Sequence, residues 1–140
     1  PGWRHSRVEA LLLRLQQREE ARLLGFVDDT NLRSLYEGAR AFVYLSWYEG
    51  FGFPPLEAMS RGTPVLTSTA GSLLEVTGDA ALHVCPEDPA AATAELHRLL
   101  ADHELRRRLA DAGVRRAGGF TWKRTAGAAL DLYRTVAKAV

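Results

Sequence analysis

Residues 41–67, AFVYLSWYEGFGFPPLEAMSRGTPVLT, decide the fold of this 140-residue chain. The stretch begins with an apolar run at residues 41–45, of the kind that is buried on both faces of a parallel sheet. Pro54-Pro55 is typical of the start of a helix, and Gly62-Thr63-Pro64 breaks that helix. A second apolar run at residues 64–67 predicts another buried strand. This order of strand, helix and strand predicts a parallel pair joined by a right-handed crossover.

The alternation of strands and helices extends to both sides of this stretch. On the N-terminal side we predict an amphipathic helix over residues 6–20, a short strand at residues 22–27, and a helix capped by Asp28-Asp29-Thr30. On the C-terminal side we predict a short helix at residues 72–76, a last strand at residues 80–84, and helices that follow Asp88, Asp102 and Thr121. The sequence therefore predicts an α/β fold with a mostly parallel sheet of four strands, flanked by helices, and an all-helical C-terminal segment.

The composition is that of an ordinary globular protein. Hydrophobic residues make up 46% of the chain and charged residues 25%, and the net charge is +1. We expect a single domain over residues 1–140, because a chain of this size can bury a sizeable core without crosslinks. The near-neutral charge gives no reason to expect a nucleic-acid partner. A single cysteine, Cys85, excludes an internal disulfide, and we expect it to be a buried, inert side chain. The histidines lack the spacing of zinc ligands, so no metal is expected.

Cytoplasmic residence is the default expectation for this chain. It has no apolar run long enough to span a bilayer, and residues 1–4 do not resemble the start of a signal peptide. Because the chain does not begin with methionine, we expect it to be processed or to lie inside a longer protein.

The segment after the strand at residues 41–45 carries the chemistry. Ligands of open α/β sheets bind beyond the carboxyl ends of the strands, and this segment is rich in glycine. Glycines let the backbone form a concave nest of N–H groups for an anion. Pro54 and Pro55 have no N–H, so the donors are expected around Gly50 to Phe53 and from Leu56 onward. Two carboxylates that flank such a turn suit a polyhydroxyl ligand, although Glu57, expected in the first helical turn, is equally well explained as a helix-stabilising residue.

The spacing of those carboxylates resembles a known motif. Glu49 and Glu57 are separated by seven residues in the segment EGFGFPPLEAM, which is similar to the E-x7-E motif of retaining glycosyltransferases of family 4. Similar segments lie on both sides in the same order: LGFVDD at 24–29, GTPVLTS at 62–68, Gly71-Ser72, Glu75-Val76, GDAA at 78–81, and FTW at 120–122. The resemblance covers nearly the whole chain. It implies the Rossmann-like C-terminal domain of the GT-B fold, which binds a nucleotide-sugar donor.

The resemblance also implies roles for individual residues. Glu57 would bind the ribose hydroxyls of the nucleotide, and Glu49, the catalytic carboxylate, would lie against the transferred sugar. The loop formed by Gly50, Phe51, Gly52 and Phe53 would face the sugar hydroxyls or the diphosphate. Phe26 and Val27 would contact the nucleobase, with plain core packing as the alternative. Thr67 and Ser68 either take part in the site or simply form the turn.

Part of the family's machinery does not match this chain. Leu74 stands where the family often has proline, and Cys85 where an acidic residue is common. The family's basic pair, which neutralises the donor diphosphate, lies upstream of the matching segment, and Arg4, Arg7 and Arg14 do not fit it. We therefore expect a domain that lacks both the first part of the C-terminal domain and the N-terminal domain that binds the acceptor. Such a fragment is expected to be inactive alone, and attachment to the inner membrane face would depend on the absent domain.

The expected activity is that of a retaining hexosyltransferase in polysaccharide biosynthesis, without a cofactor other than its nucleotide-sugar co-substrate. A GDP-, UDP- or ADP-sugar would serve, and GDP-mannose is the first choice because the form FPPLE at residues 53–57 looks most like bacterial mannosyl- and rhamnosyltransferases. The alternative is a noncatalytic sugar-nucleotide-binding or assembly module. The last helix would cross back toward the absent domain, so the face that carries Trp122 and Tyr133 is expected to be exposed and to allow weak self-association.

Overall fold

The computed structural model describes residues 5–138, and it describes the side chains of residues 8–138. The chain divides into two compact units, one up to Leu32 and one from Arg33 onward. The helices and strands, in chain order, are α1 His5–Gln17, α2 Asp29–Gly38, β1 Phe42–Tyr44, α3 Phe53–Ser60, β2 Val65–Ser68, α4 Leu73–Thr77, the 3₁₀ turn Gly78–Ala80, β3 Ala81–Val84, α5 Pro89–Ala101, α6 His103–Gly118 and α7 Trp122–Lys138.

The second unit is built on a parallel sheet of three strands in the order β1-β2-β3. Val65 of β2 pairs with Phe42 of β1 on one side and with Ala81 of β3 on the other. All residues of β2 are buried because that strand lies in the centre of the sheet. The α/β fold with a parallel sheet and a helical C-terminal segment is thus confirmed, and the carboxyl ends of the strands share one edge.

Helices α5 and α6 close the core over one face of this sheet. Leu66 and Val84 from the strands form one buried cluster with Leu99, Leu105 and Leu109 from the helices. Both helices begin where the sequence predicts: the Asp88 carboxylate accepts the N–H of Ala91 at 2.9 Å, and the Asp102 carboxylate accepts that of Leu105 at 2.9 Å.

Helix α3 is packed tightly against α6. A Cβ added to Gly113 would lie 3.3 Å from the Cβ of Met59, a side chain with no exposed surface. Further along α6, the Arg116 guanidinium donates to the carbonyl of Val76 at 2.9 Å and to that of Glu75. These contacts fix α3 and α4, the helices that follow β1 and β2, relative to the sheet.

The predicted strand at residues 22–27 does not form. Gly25 has a φ of +66°, which interrupts an extended backbone in the middle of the apolar run, and its neighbours Leu23 and Leu24 are exposed. The sheet therefore has three strands and not four within the described residues. The helix that follows is confirmed, and Asp28 caps it by accepting the N–H of Asn31 at 2.9 Å. That hydrogen bond lowers the pKa of the Asp28 carboxyl.

Two expectations about burial were also wrong. Strand β1 is not buried on both faces: it lies at an edge of the three-stranded sheet, and Val43 is exposed. Cys85 is exposed as well, because it follows the last residue of β3 and begins the turn in which its carbonyl accepts the N–H of Asp88 at 3.0 Å.

Candidate functional site

The motif loop, residues 46–52, leaves β1 at the carboxyl edge of the sheet and is anchored to β2. The Ser68 hydroxyl donates to the Ser46 carbonyl at 2.5 Å, and the Thr67 hydroxyl donates to the Tyr44 carbonyl at 2.9 Å. Both hydroxyl side chains are fully buried. Thr67 and Ser68, whose role the sequence left open, therefore use their hydroxyls to fix the start of the motif loop.

A second segment, the Gly71 loop at residues 69–72, lies directly against the motif loop. The Ser72 hydroxyl donates to the carbonyl of Phe51 at 2.6 Å and to that of Glu49 at 3.2 Å. Gly71 has a φ of +57°, and a Cβ built on it would lie 2.6 Å from the Glu49 carbonyl oxygen. Only glycine permits this approach, so the two loops are held as one surface.

We predict that Gly71→Ala destabilises the folded chain by about 2 kcal/mol, because it combines a left-handed backbone with a backbone clash. The measurement is chemical denaturation. The matched control is Gly62→Ala, since Gly62 has a φ of +73° but its nearest neighbour, Val114 Cγ2, is 3.8 Å from the added Cβ. Equal losses of unfolding free energy in the two variants would contradict a steric role for Gly71.

Glu49 lies in the motif loop with its side chain partly buried. The Tyr44 hydroxyl donates to Oε1 of Glu49 at 2.5 Å. This hydrogen bond is the main reason that the pKa of Tyr44 is raised to about 12; burial and the charge of Glu49 add to the effect. The tyrosine therefore stays protonated and remains a donor to Glu49 at physiological pH.

Glu57 lies on α3 and is exposed to solvent. The helix begins at Phe53, one residue before the predicted start, so Glu57 occupies its second turn and not its first. The expected stabilisation by the helix dipole is correspondingly weak there, because the effect falls off within one turn. The Tyr36 hydroxyl lies 3.4 Å from Oε2 of Glu57, and burial, reinforced by that carboxylate, raises the pKa of Tyr36.

The backbone of the motif loop presents free donors. Among the described residues, no acceptor takes the N–H groups of Gly50, Phe51 and Gly52. Gly52 has a φ of +105° and leads into α3, where Pro54 and Pro55 have no N–H to offer. Leu56 is not available as a donor, because its N–H points to the Gly52 carbonyl at 3.4 Å. The loop thus carries consecutive unpaired N–H groups, the arrangement that binds anions and hydroxyl oxygens.

Aromatic residues precede, follow and lie among these donors along the chain. The rings of Phe51 and Phe53 are 4.7 Å apart, and Phe51 meets Phe120 edge to face at 5.9 Å. Trp47 and Tyr48, which precede Glu49, are exposed. The loop therefore joins hydrogen-bond donors to a partly apolar surface, a combination typical of small-molecule sites.

Phe26 and Val27 lie in the first unit, and their proposed contact with a nucleobase stays a prediction. Phe26 is 96% exposed, so core packing does not explain this side chain. Arg14, also in the first unit, is exposed on α1, whereas Arg4 and the side chain of Arg7 lie outside the described residues.

Sequence reasoning missed Tyr36, Tyr44 and Ser72. Tyr44 ends β1 only five positions before Glu49, and this spacing is the one signal in the sequence that could have indicated their contact. The contacts of Tyr36 and Ser72 join segments more than twenty positions apart, so no local pattern marks them.

Within residues 5–138, no group of three or more His, Cys, Asp or Glu side chains could hold a metal ion. In the same part of the chain, no helix has the length and hydropathy needed to cross a bilayer.

Comparison with known proteins gives consistent matches over this site. A family model described as glycosyl transferases group 1 matches residues 2–116. The O-antigen chain mannosyltransferase B of Escherichia coli is 40% identical over 133 residues, which are 95% of this chain and 35% of that protein. Among solved structures, a sucrose-phosphate synthase from Thermosynechococcus elongatus has a TM-score of 0.78 at 32% identity and covers 96% of this chain, which in turn spans 34% of the synthase.

The C-terminal domain of a glycosyl transferase group 1 family protein from Francisella tularensis matches with a TM-score of 0.65 at 26% identity. That match covers 80% of this chain and 60% of the solved domain. The chain thus spans about a third of the mannosyltransferase and the synthase, and its similarity to the Francisella protein lies in that protein's C-terminal domain.

Proposed function

Because the chain belongs to the glycosyl transferases group 1 family, we propose that it is the donor-binding part of a retaining hexosyltransferase. In this proposal the donor is a nucleoside diphosphate sugar held at the carboxyl edge of the sheet. The acceptor is bound by an N-terminal domain outside this chain. The first part of the C-terminal domain, with the basic pair for the diphosphate, also lies outside it, so the chain alone is expected to be inactive.

One observation carries this proposal: a carboxylate stands on each side of a loop that offers unpaired N–H groups. Glu49 precedes the donors of Gly50, Phe51 and Gly52, and Glu57 follows them on α3. A diphosphate sugar carries hydroxyl groups at both ends and anionic oxygens between them. Carboxylates accept hydrogen bonds from the hydroxyls, and backbone N–H groups donate to the oxygens, so the pattern of the site matches the pattern of the ligand.

Each group then has a distinct task in the transfer. Glu57 accepts hydrogen bonds from the ribose hydroxyls and thereby orients the nucleotide. The N–H groups of the motif loop donate to the sugar or to the diphosphate, which gains charge as its bond to the anomeric carbon breaks. Glu49 lies against the sugar, whose ring becomes positively charged in an oxocarbenium-like transition state. The acceptor hydroxyl attacks the anomeric carbon on the face from which the diphosphate departs and gives its proton to the departing diphosphate oxygen, so that the anomeric configuration is retained.

For the donor we take GDP-mannose as the first choice. The Escherichia coli relative is named a mannosyltransferase, and it is 40% identical over 95% of this chain. Phe26, which is exposed, and the adjacent Val27 would contact the base. The acceptor would be a growing polysaccharide, and the protein would act in the cytoplasm or at the inner membrane face through its other domain.

The direct test is calorimetric titration of the chain with GDP, UDP, ADP and their sugar conjugates. We expect one nucleotide to bind selectively, and its identity would establish the base. If the folded chain binds none, the titration is repeated on the full-length protein, which supplies the basic pair and the partner domain. Absence of nucleotide binding there would contradict the proposal.

A noncatalytic sugar-nucleotide-binding module is the other reading. It would bind the nucleotide sugar but would not transfer or hydrolyse it in the full-length protein. The presence of both Glu49 and Glu57 argues against a module that has lost donor recognition, because such a module would need neither carboxylate.

Helix α7 is the proposed contact to the missing domain. None of its residues Trp122–Lys138 is buried, and Trp122, Leu130 and Tyr133 lie on one exposed apolar face. We predict weak self-association of the isolated chain through this face, measured by sedimentation at high concentration, and its loss in Leu130→Lys. A strictly monomeric profile for the unmodified chain would contradict the prediction.

A further inference from the structure

The two motif carboxylates are held differently by neighbouring tyrosines. Tyr44 Oη lies 2.5 Å from Glu49 Oε1, a short and direct hydrogen bond. Tyr36 Oη lies 3.4 Å from Glu57 Oε2, which is beyond the usual range for a hydroxyl donor. Of the two motif carboxylates, Glu49 is therefore the one that is fixed by a strong hydrogen bond from a side chain.

The donor of that bond is itself rigid. Tyr44 is the last residue of β1, and its carbonyl accepts the hydroxyl of buried Thr67. Its ring stacks on Phe42 at 6.0 Å with an angle of 17° between the planes, and Phe42 in turn meets Tyr36 edge to face at 5.3 Å. The hydroxyl is thus presented from the sheet itself and not from a loop.

We propose that Tyr44 is a positioning residue of the transfer reaction: it holds Oε1 of Glu49 and leaves Oε2 free to face the transferred sugar. The inference rests on the proposed function of Glu49. Among the described residues, no other side chain donates to this carboxylate. Without a fixed donor, the side chain of a glutamate in a glycine-rich loop would lose rotamer entropy when the sugar binds. The hydrogen bond from Tyr44 restricts the rotamers of Glu49 before binding, so this entropy is not lost during the reaction.

The geometry of the two loops supports the same role. The backbone carbonyl of Glu49 accepts a hydrogen bond from Ser72, and its side chain accepts one from Tyr44, so backbone and carboxylate are anchored to different segments, the Gly71 loop and β1. Fixing both ends leaves the carboxylate a single arrangement relative to the loop donors. Transition-state stabilisation depends on such preorganisation, whereas binding of the nucleotide alone does not use Glu49.

The test is a double-mutant cycle in the full-length protein with Tyr44→Phe and Glu49→Ala. The readout is release of nucleoside diphosphate from the donor selected by titration, GDP-mannose in the first instance, together with the Kd of the bare diphosphate. Phenylalanine keeps the ring stacked on Phe42 and removes only the hydroxyl, and thermal unfolding checks that the variants are folded. Glu95→Ala is the control, because it removes from α5 a partly exposed carboxylate that has no proposed role in binding or transfer.

We expect Tyr44→Phe to lower kcat by about tenfold to a hundredfold, the effect of one hydrogen bond to a charged group, with the Kd of the diphosphate unchanged. In the Glu49→Ala background the same change should have no further effect. An unchanged kcat in Tyr44→Phe, or equal losses in both backgrounds, would overturn the positioning role while leaving Glu49 as proposed. If Glu49→Ala alone leaves kcat unchanged, the proposed function of Glu49 fails and the inference fails with it.

Discussion

Glu57→Ala is expected to weaken nucleotide binding by about 1.5–3 kcal/mol, which is roughly tenfold to 150-fold in Kd. The reason is that an ionised carboxylate is a strong acceptor for the paired ribose hydroxyls, and alanine leaves those hydroxyls without a partner in the complex. Glu57 is exposed and has only a long contact to Tyr36, so the carboxylate is available to a ligand without first breaking a strong bond. Calorimetric titration with the selected nucleoside diphosphate measures the change.

The matched control for this prediction is Glu95→Ala. Like Glu57, Glu95 lies beyond the first turn of a helix that has proline in that turn, and it forms a partly exposed pair with Arg98 at 3.2 Å. Its removal should change neither nucleotide affinity nor, by more than a few tenths of a kcal/mol, the free energy of unfolding. If neither Glu57→Ala nor Glu95→Ala changes the nucleotide affinity, the assignment of Glu57 to the ribose is wrong.

The order of β1, α3 and β2 could be predicted because the sequence signal for each of these three elements is local. A run of apolar residues marks each strand, Pro54 and Pro55 mark the start of the helix, and Gly62 with a φ of +73° ends it. The same holds for the caps at Asp88 and Asp102, where one carboxylate binds an N–H three positions away. Features that depend on residues close in the chain can be read from the sequence alone.

The errors arise where an apolar run remains exposed or where position in the sheet decides burial. Residues 22–27 are apolar enough for a strand, but Gly25 adopts a left-handed backbone and Leu23 and Leu24 are exposed. Apolar composition alone does not distinguish this segment from β2, because both are short hydrophobic runs. Likewise, only the strand order shows that β1 is an edge strand. Cys85 directly follows β3, and it is exposed in the turn that its carbonyl forms with the N–H of Asp88.

The candidate site was located by its motif, but its internal geometry was not. The sequence places Glu49 and Glu57 in one segment and predicts a donor-rich loop between them, with roles implied by resemblance. The sequence has no local signal for the close approach of Gly71 to the Glu49 carbonyl, or for the hydrogen bond from the Ser72 hydroxyl to the Phe51 carbonyl. Both contacts join residues about twenty positions apart. These contacts depend on the parallel pairing of β1 with β2, which brings the two following loops to the same edge.

Glu49→Ala is expected to lower kcat of the full-length protein by about a hundredfold to a thousandfold, the usual effect of removing one preorganised transition-state contact. The affinity of this variant for the bare nucleoside diphosphate should stay within about twofold of that of the unmodified protein, because the proposed partner of Glu49 is the sugar and not the nucleotide. Steady-state kinetics with the sugar donor and titration with the diphosphate measure the two quantities separately. Glu57→Ala provides the contrast, since it should weaken binding of both ligands. If Glu49→Ala weakens diphosphate binding as much as it lowers kcat, the carboxylate contacts the nucleotide and its assignment to the sugar is wrong.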